Sequence, residues 1–219
     1  MQLLQDLLYE KRAGIAYITI NRPQAMNALS HKVLDELRSV MEDARADPTV
    51  HGVIVTGAGD KAFVTGAEVT GNAWDSSMGA EELMHSRRSA FDLIEQLGKP
   101  VIAAVNGCVS GEGCELAMAC SLRLATAHAR FGRPEALPGF VRGFGGMQRL
   151  LRLVGRGRAL QLILTADTID ATEAQRNGLV DEIVDADQLI ARAETILGRM
   201  EPNAPVSAPP AGMLRSLAI

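Results

Sequence analysis

The stretch that decides the fold is "KPVIAAVNGCVSGEGCELAMAC", residues 99–120. It opens on the short apolar run "VIAAV", which is typical of a strand buried on both faces, as in a parallel sheet. A glycine-flanked turn follows, and then a segment that is almost entirely apolar. The stretch therefore predicts a buried strand, a tight turn and a helix in immediate succession.

Two carboxylates, Glu112 and Glu115, interrupt this apolar segment, three positions apart. Burying a carboxylate is costly unless the group is paired, accepts hydrogen bonds or shifts its pKa. Their presence therefore indicates either a chemical role or a structural one, in which each carboxylate only accepts hydrogen bonds from backbone amides.

The order of strand, loop and helix recurs on both sides of this stretch. We predict an α/β fold of repeated β-β-α units, because strands that alternate with helices indicate a parallel sheet. The predicted strands are "LLYEKR", "GIAYITIN", "HGVIVTG" and "SLRLAT". Two helices are predicted: the first is capped by Ser30 and ends near Ala46, and the second covers residues 80–97. We expect "AGDKAFVTGAEVTGN" to be a loop.

The second half of the chain is predicted to be mainly helical. "GFGGMQRLLRLVG", "RGRALQLILTA", "ATEAQRNGL" and "DADQLIARAETILGRM" indicate successive helices, interrupted by a strand in "LVDEIV". We therefore divide the chain into a core domain, residues 1–143, and a helical C-terminal region, residues 144–219. The last segment, "EPNAPVSAPPAGMLRSLAI", has little periodicity, and we expect it to be poorly ordered unless it docks on a partner.

Composition excludes several classes of protein. The 219 residues are 47% hydrophobic and 22% charged, as in an ordinary globular protein, and the net charge of −4 argues against a nucleic-acid partner. We expect no membrane span and no signal peptide, and hence a cytoplasmic protein. The three cysteines have no recognised metal-binding spacing and are expected to be small core residues. "GAGDKAF" lacks the three-glycine spacing of a dinucleotide site, and no GxSxG is present to indicate a serine hydrolase.

Six stretches, which follow one another in the family's order, make the chain resemble the enoyl-CoA hydratase/isomerase (crotonase) family. The resemblance covers roughly residues 10–205. The stretches are "NRPQAMNAL", "KAFVTGAEV", "KPVIAAVNGCVSGEGCELAMAC", "ARFGRPEALPG", "GFGGMQRLLRLVGRGRAL" and "EAQRNGLVDEIV". The resemblance implies a crotonase-like spiral of β-β-α units with a helical C-terminal region that is short here. It also implies an acyl-CoA thioester as substrate, and a homotrimer or dimer of trimers.

The resemblance assigns two catalytic carboxyl groups, Glu115 and Glu135. Hydration of an unsaturated thioester adds a water oxygen at Cβ and a proton at Cα, so one carboxylate activates water and a protonated partner supplies the proton. By this analogy Glu115 is the base toward water and Glu135 the acid toward Cα.

The resemblance also implies an oxyanion hole made by the backbone N–H groups of Ala67 and Glu112, the second at a helix N-terminus. Glu112 stands where the family usually has glycine. We favour a side chain turned outward at the start of a helix capped by Ser110. The alternative is a side chain that contacts the substrate or impairs the site.

Residues expected to contact the substrate fall into two sets. Those expected near coenzyme A are Ala25, Gly66, Ala67, Glu68, Val69 and Gly111. Those expected to line the acyl pocket are Trp74, Met78, Met84 and Phe91, although apolar residues at helical spacing are as often plain core.

The function that this pattern implies is reversible hydration of a 2-trans-enoyl-CoA to a 3-hydroxyacyl-CoA, as in fatty acid metabolism. The expected reaction needs no metal and no cofactor, because coenzyme A is part of the substrate. The alternatives are an enoyl-CoA isomerase, a hydrolase or C–C bond enzyme of the same fold, or a non-catalytic acyl-CoA-binding protein.

Overall fold

Parallel strand pairing organises the fold around two sheets. The computed structural model describes residues 2–66, 90–132 and 146–200. The strands are β1 (Gln2–Leu3), β2 (Leu7–Arg12), β3 (Ile15–Ile20), β4 (Gly52–Gly57), β5 (Ala62–Val64), β6 (Val101–Val105), β7 (Cys108–Ser110), β8 (Leu122–Thr126), β9 (Arg130–Gly132), β10 (Ile169–Asp170) and β11 (Glu182–Val184). The helices are α1 (His31–Ala46), α2 (90–95), α3 (Glu112–Ala119), α4 (Gly146–Val154), α5 (Arg156–Thr165), α6 (Ala171–Arg176) and α7 (Leu189–Leu197), with a 3-10 helix at Pro23–Ala25.

The sheets are built by a repeating unit. The larger sheet has the order β1-β2-β3-β4-β6-β8-β11, and the smaller has the order β10-β9-β7-β5. Each successive pair, β4 with β5, β6 with β7 and β8 with β9, gives one strand to each sheet. The pairings β4·β6, β6·β8, β5·β7 and β7·β9 are all parallel. The predicted α/β spiral of β-β-α units is therefore confirmed.

The larger sheet is covered on both faces. Side chains alternate along β4, so Val53 and Val55 join the main core with α1, whereas Ile54 joins a second cluster. In that second cluster α7 covers the opposite face through Leu189 and Leu197. All five residues of β6 are buried, which explains its uninterrupted apolar sequence.

Helix α1 forms where the sequence predicts it. The Ser30 side chain accepts a hydrogen bond from the Val33 N–H at 3.2 Å, so the predicted cap is confirmed. The apolar face is buried at Val33, Leu34, Leu37, Val40, Met41 and Ala44.

Five short strands were not expected from the sequence, namely β1, β5, β7, β9 and β10. The segment around Ala62–Val64, which we expected to be loop, is β5, and the turn before α3 contains β7. β9 and β10 are likewise only three and two residues long. Runs of this length are too short to show a two-residue period, and pairing with a neighbouring strand, rather than local sequence, fixes them.

The second half of the chain contains the predicted helices, α4 to α7, and the predicted strand in "LVDEIV", which is β11. β11 pairs with β8 and β10 pairs with β9, so this half also completes both sheets. The role of residues 144–219 in assembly stays a prediction, and the tail 201–219 lies outside the described residues. Among the described helices, none is long and apolar enough to cross a membrane.

Candidate active site

Two glycine turns meet where β5 and β7 end. Gly66 follows β5 with φ +101°, and Gly111 follows β7 with φ +50°, so both adopt backbone conformations that L side chains rarely take. A Cβ on Gly111 would lie 3.4 Å from the Cα of Gly66, and a Cβ on Gly66 would lie 4.0 Å from the Glu112 nitrogen. The Gly66 carbonyl accepts a hydrogen bond from the Leu29 N–H at 2.7 Å. The two loops predicted to carry the oxyanion donors are therefore brought together.

Helix α3 starts differently from our expectation. Gly111 is its N-cap, with φ 50° and ψ −121° and no side-chain hydrogen bond, and Ser110 is the last residue of β7. The prediction that Ser110 caps the helix is therefore wrong. Ser110 is held in β7 by its pairing with Gly132 of β9, so the chain turns at the next residue, Gly111. Only glycine adopts the backbone conformation of that residue without strain.

Both carboxylates of α3 are buried. Glu115 is 3% exposed and Glu112 is 7% exposed. The expectation that the Glu112 side chain turns outward is therefore wrong. The first turn of α3 is enclosed by β5 and β7, so a side chain there stays inside the protein. The backbone nitrogen of Glu112 lies beside Gly66, and its role as an oxyanion donor stays a prediction.

An apolar cavity of about 80 Å³ adjoins Glu115. It runs along α3, and its other walls come from β9, α4 and α5. Its lining residues are Gly111, Cys114, Glu115, Ala117, Met118, Arg123, Phe131, Gly132, Gly146, Met147, Leu150, Leu162, Ile163, Asp167, Ile169 and Leu179. The cavity is large enough to hold several waters or a small hydrocarbon group beside a buried carboxylate.

The loop before α1 is fixed by Asn27, a residue that sequence reasoning missed. Asn27 is buried, and its Nδ2 donates to the carbonyl oxygens of Ala58 at 3.0 Å and Ala62 at 2.8 Å, while its Oδ1 accepts from the Arg22 N–H at 3.0 Å. These bonds tie the loop that contains Ala25, a predicted coenzyme A neighbour, to Ala58 and to the start of β5, the strand that leads to Gly66. The sequence offers only an asparagine in an irregular loop, which many plain turns share; its left-handed conformation, with φ 57°, is visible only in the structure.

Arg123 also lines the cavity. Its Nε donates to the Leu179 carbonyl at 2.8 Å, its Nη1 donates to the Cys120 carbonyl at 2.9 Å, and its Nη2 pairs with Asp181 at 2.9 Å. These bonds to main chain and to one carboxylate make Arg123 a structural anchor.

Several predicted site residues lie outside the described residues; they are Ala67, Glu68, Val69, Trp74, Met78, Met84 and Glu135. Phe91 is described and fully buried in the main core, and it is not among the residues lining the cavity beside Glu115.

The cysteines differ in burial. Cys120 is buried as expected, and burial raises the pKa of its thiol to about 12, which keeps it protonated and inert. Cys108 and Cys114 are only partly buried, and Cys114 lines the cavity. Within the described ranges, no group of three or more His, Cys, Asp or Glu side chains could hold a metal ion.

Comparison with known proteins gives one consistent family. The enoyl-CoA hydratase/isomerase family matches residues 10–209. The chain is 46% identical over 196 residues to a crotonyl-CoA hydratase of Syntrophomonas wolfei, covering 90% of this chain and 75% of the relative. It is 45% identical over 204 residues to a short-chain-enoyl-CoA hydratase of Clostridium acetobutylicum, covering 93% of this chain and 78% of the relative.

A solved structure agrees with these relatives. The crystal structure of an enoyl-CoA hydratase from Bacillus anthracis superimposes with a TM-score of 0.83 at 36% identity, covering 89% of this chain and 76% of that one. Family, relatives and fold agree with the paired glycine turns and the buried Glu115, and the chain belongs to the enoyl-CoA hydratase/isomerase family.

Proposed function

We propose that this chain is an enoyl-CoA hydratase that adds water to a short-chain 2-trans-enoyl-CoA and releases the 3-hydroxyacyl-CoA. The observation that carries the proposal is the burial of Glu115 beside the meeting point of the Gly66 and Gly111 turns. A carboxylate in an apolar cavity next to backbone donors is what base-assisted addition to a thioester requires. The names of the relatives from S. wolfei and C. acetobutylicum support a short acyl group.

In the proposed mechanism Glu115 takes a proton from water as the water oxygen bonds to Cβ. The electron pair of the C2–C3 double bond moves toward the thioester carbonyl, and Cα then takes a proton from Glu135. The carbonyl oxygen carries negative charge in between, and the N–H groups of Ala67 and Glu112 stabilise it. Loss of one such donor costs about 10²–10³ in rate.

The proposed reaction uses no metal and no separate cofactor, because acid–base groups and backbone donors supply all of its steps. Coenzyme A enters as part of the substrate. We place it along Ala25, Gly66, Ala67, Glu68, Val69 and Gly111. Of these, Gly66 and Gly111 already stand together at the end of the smaller sheet.

We also propose a cytoplasmic protein that assembles as a trimer or a dimer of trimers. The resemblance to the crotonase family supports the assembly. The exposed Leu164 on α5, with 80% of its surface accessible, offers an apolar side chain for such a contact.

The test is loss of enoyl-thioester absorbance on adding crotonyl-CoA to wild type, Glu115→Gln and Glu135→Gln. We expect rapid loss in wild type and a decrease in kcat of about 10²–10⁴ in each variant. Glu42→Gln, at an exposed glutamate of α1, is the matched control and keeps wild-type activity. A folded wild type without hydration would contradict the proposal, and conversion of a 3-enoyl-CoA instead would identify an isomerase.

A further inference from the structure

Helix α4 begins in close contact with the carboxylate of Glu115. A Cβ on Gly146, the first residue of α4, would lie 2.7 Å from Cγ, Cδ and Oε1 of Glu115. Side-chain carbons are not found at such a distance, so residue 146 must be glycine for the helix and the carboxylate to keep their positions. Both residues line the same cavity.

One turn along α4, Arg149 anchors the helix against α2. Arg149 is 4% exposed, and its Nη2 lies 2.8 Å from Asp92 Oδ1 and 2.9 Å from Glu95 Oε2, while its Nε donates to Glu95 Oε2 at 3.1 Å. Arg152 adds a bond to Glu95 Oε1 at 3.2 Å. The planar guanidinium of Arg149 bonds two carboxylates of α2 and so holds α4 in one orientation. The ammonium group of a lysine, which acts as a point charge, would fix that orientation less well.

We propose that α4 positions the catalytic base, with Gly146 as the residue that permits close approach and Arg149 as the residue that fixes it. Both are positioning residues and act through Glu115. The inference rests on the proposed function, in which Glu115 activates water. Its physical basis is that a reacting group displaced by about 1 Å can lose 10² in rate.

The first test compares Gly146→Ala with Gly157→Ala. Gly157 lies in α5, and a Cβ there would meet nothing within 4 Å, so it controls for adding a methyl group to a helix. We expect Gly146→Ala to lower kcat for crotonyl-CoA by about 10- to 100-fold while KM stays within about threefold. Because alanine is the better helix former, weaker helix formation cannot explain such a loss. A Gly146→Ala variant with the kcat of Gly157→Ala would overturn the proposal.

The second test keeps the proposal open to refutation if Gly146→Ala does not fold. Arg149→Met removes the anchor, and Arg149→Lys keeps the charge without the planar, forked guanidinium. Arg192→Met breaks a more exposed ion pair, with Glu182 at 2.8 Å between α7 and β11, and controls for the loss of an arginine–carboxylate pair away from Glu115. We expect kcat to fall about tenfold or more in Arg149→Met, to recover in part in Arg149→Lys, and to stay unchanged in Arg192→Met. Equal kcat in folded Arg149→Met and Arg192→Met would overturn the role of Arg149. Absence of hydration in wild type would instead contradict the proposed function.

Discussion

Glu112 and Glu115 occupy the same buried turn of α3, but the proposed mechanism uses different atoms of each. Glu115 acts through its carboxylate and Glu112 through its backbone N–H. Glu112→Gln keeps that N–H and the side-chain volume, so we expect kcat for crotonyl-CoA to stay within about threefold of wild type. The measurement is the kcat of Glu112→Gln compared with that of Glu115→Gln, in which the same change of residue type is made three positions further along α3. A loss in Glu112→Gln comparable to that in Glu115→Gln would show that the Glu112 side chain takes part in the chemistry.

Gly111 makes a second prediction at the residue scale, because its φ of 50° and ψ of −121° suit only glycine. We expect Gly111→Ala to lower the free energy of unfolding by about 1–3 kcal/mol, since alanine must take a strained conformation there. Urea unfolding measures this change. Gly157→Ala, in an open helical position, is expected to leave stability unchanged or raise it by up to about 1 kcal/mol. Equal stability of the two variants would contradict the argument.

How much of the site the sequence predicts depends on the kind of contact each residue makes. The sequence draws attention to Glu115 because a carboxylate in an apolar helix is costly, and the family resemblance then assigns its role. Gly146 and Arg149 give no such signal, because their importance comes from contacts with α3 and α2 that are distant in sequence. The burial of Glu112 was missed for the same reason: β5 packs against the first turn of α3.

At the scale of elements, long apolar or amphipathic runs are predictable and short paired strands are not. The faces of α1 and the five buried residues of β6 follow directly from the period of the sequence. β7 and β9 are held by parallel pairing with each other, with Val109 opposite Phe131. A partner that far along the chain is invisible to local periodicity.

The C-terminal end of α1 carries a prediction about acid stability. Lys11 lies 2.6 Å from Asp43 and 2.7 Å from Asp47, and hydrogen bonds from Lys11 hold the pKa of both carboxyls below the usual range. A carboxyl with a lowered folded-state pKa stabilises the fold above its unfolded pKa of about 3.9, and this contribution is lost as pH falls through the folded-state value. We therefore expect Asp47→Asn to lower Tm at pH 7 and to lessen the fall in Tm between pH 5 and pH 2.

Thermal unfolding across this pH range, with Asp60→Asn at an exposed aspartate as the control, checks the expectation. An Asp47→Asn variant whose Tm follows the wild-type pH dependence would contradict the assigned role of the Lys11 pair.

At the scale of the whole molecule, the repeating unit explains why the site lies where it does. β5 and β7 are parallel neighbours in the smaller sheet, so both end at the same edge. Ligands of parallel sheets bind outside the carboxyl ends of the strands, where loops from separate units converge. Gly66 lies two residues after the end of β5 and Gly111 immediately after the end of β7, and the first turn of α3 starts at the same point. Two turns of the spiral thus supply one site.

The proposed assembly gives the last prediction. Leu164 is 80% exposed in the last turn of α5, and a large apolar side chain in that position gains stability when a second copy covers it. We expect light scattering to give the mass of three chains, or of six, for wild type. Leu164→Asp should shift the mass toward one chain, because a charge in an apolar contact must be desolvated. Thr165→Asp places the same charge on the next exposed residue and should keep the wild-type mass. A single-chain mass for wild type would refute the assembly, and an unchanged mass in Leu164→Asp would show that Leu164 is not part of the contact.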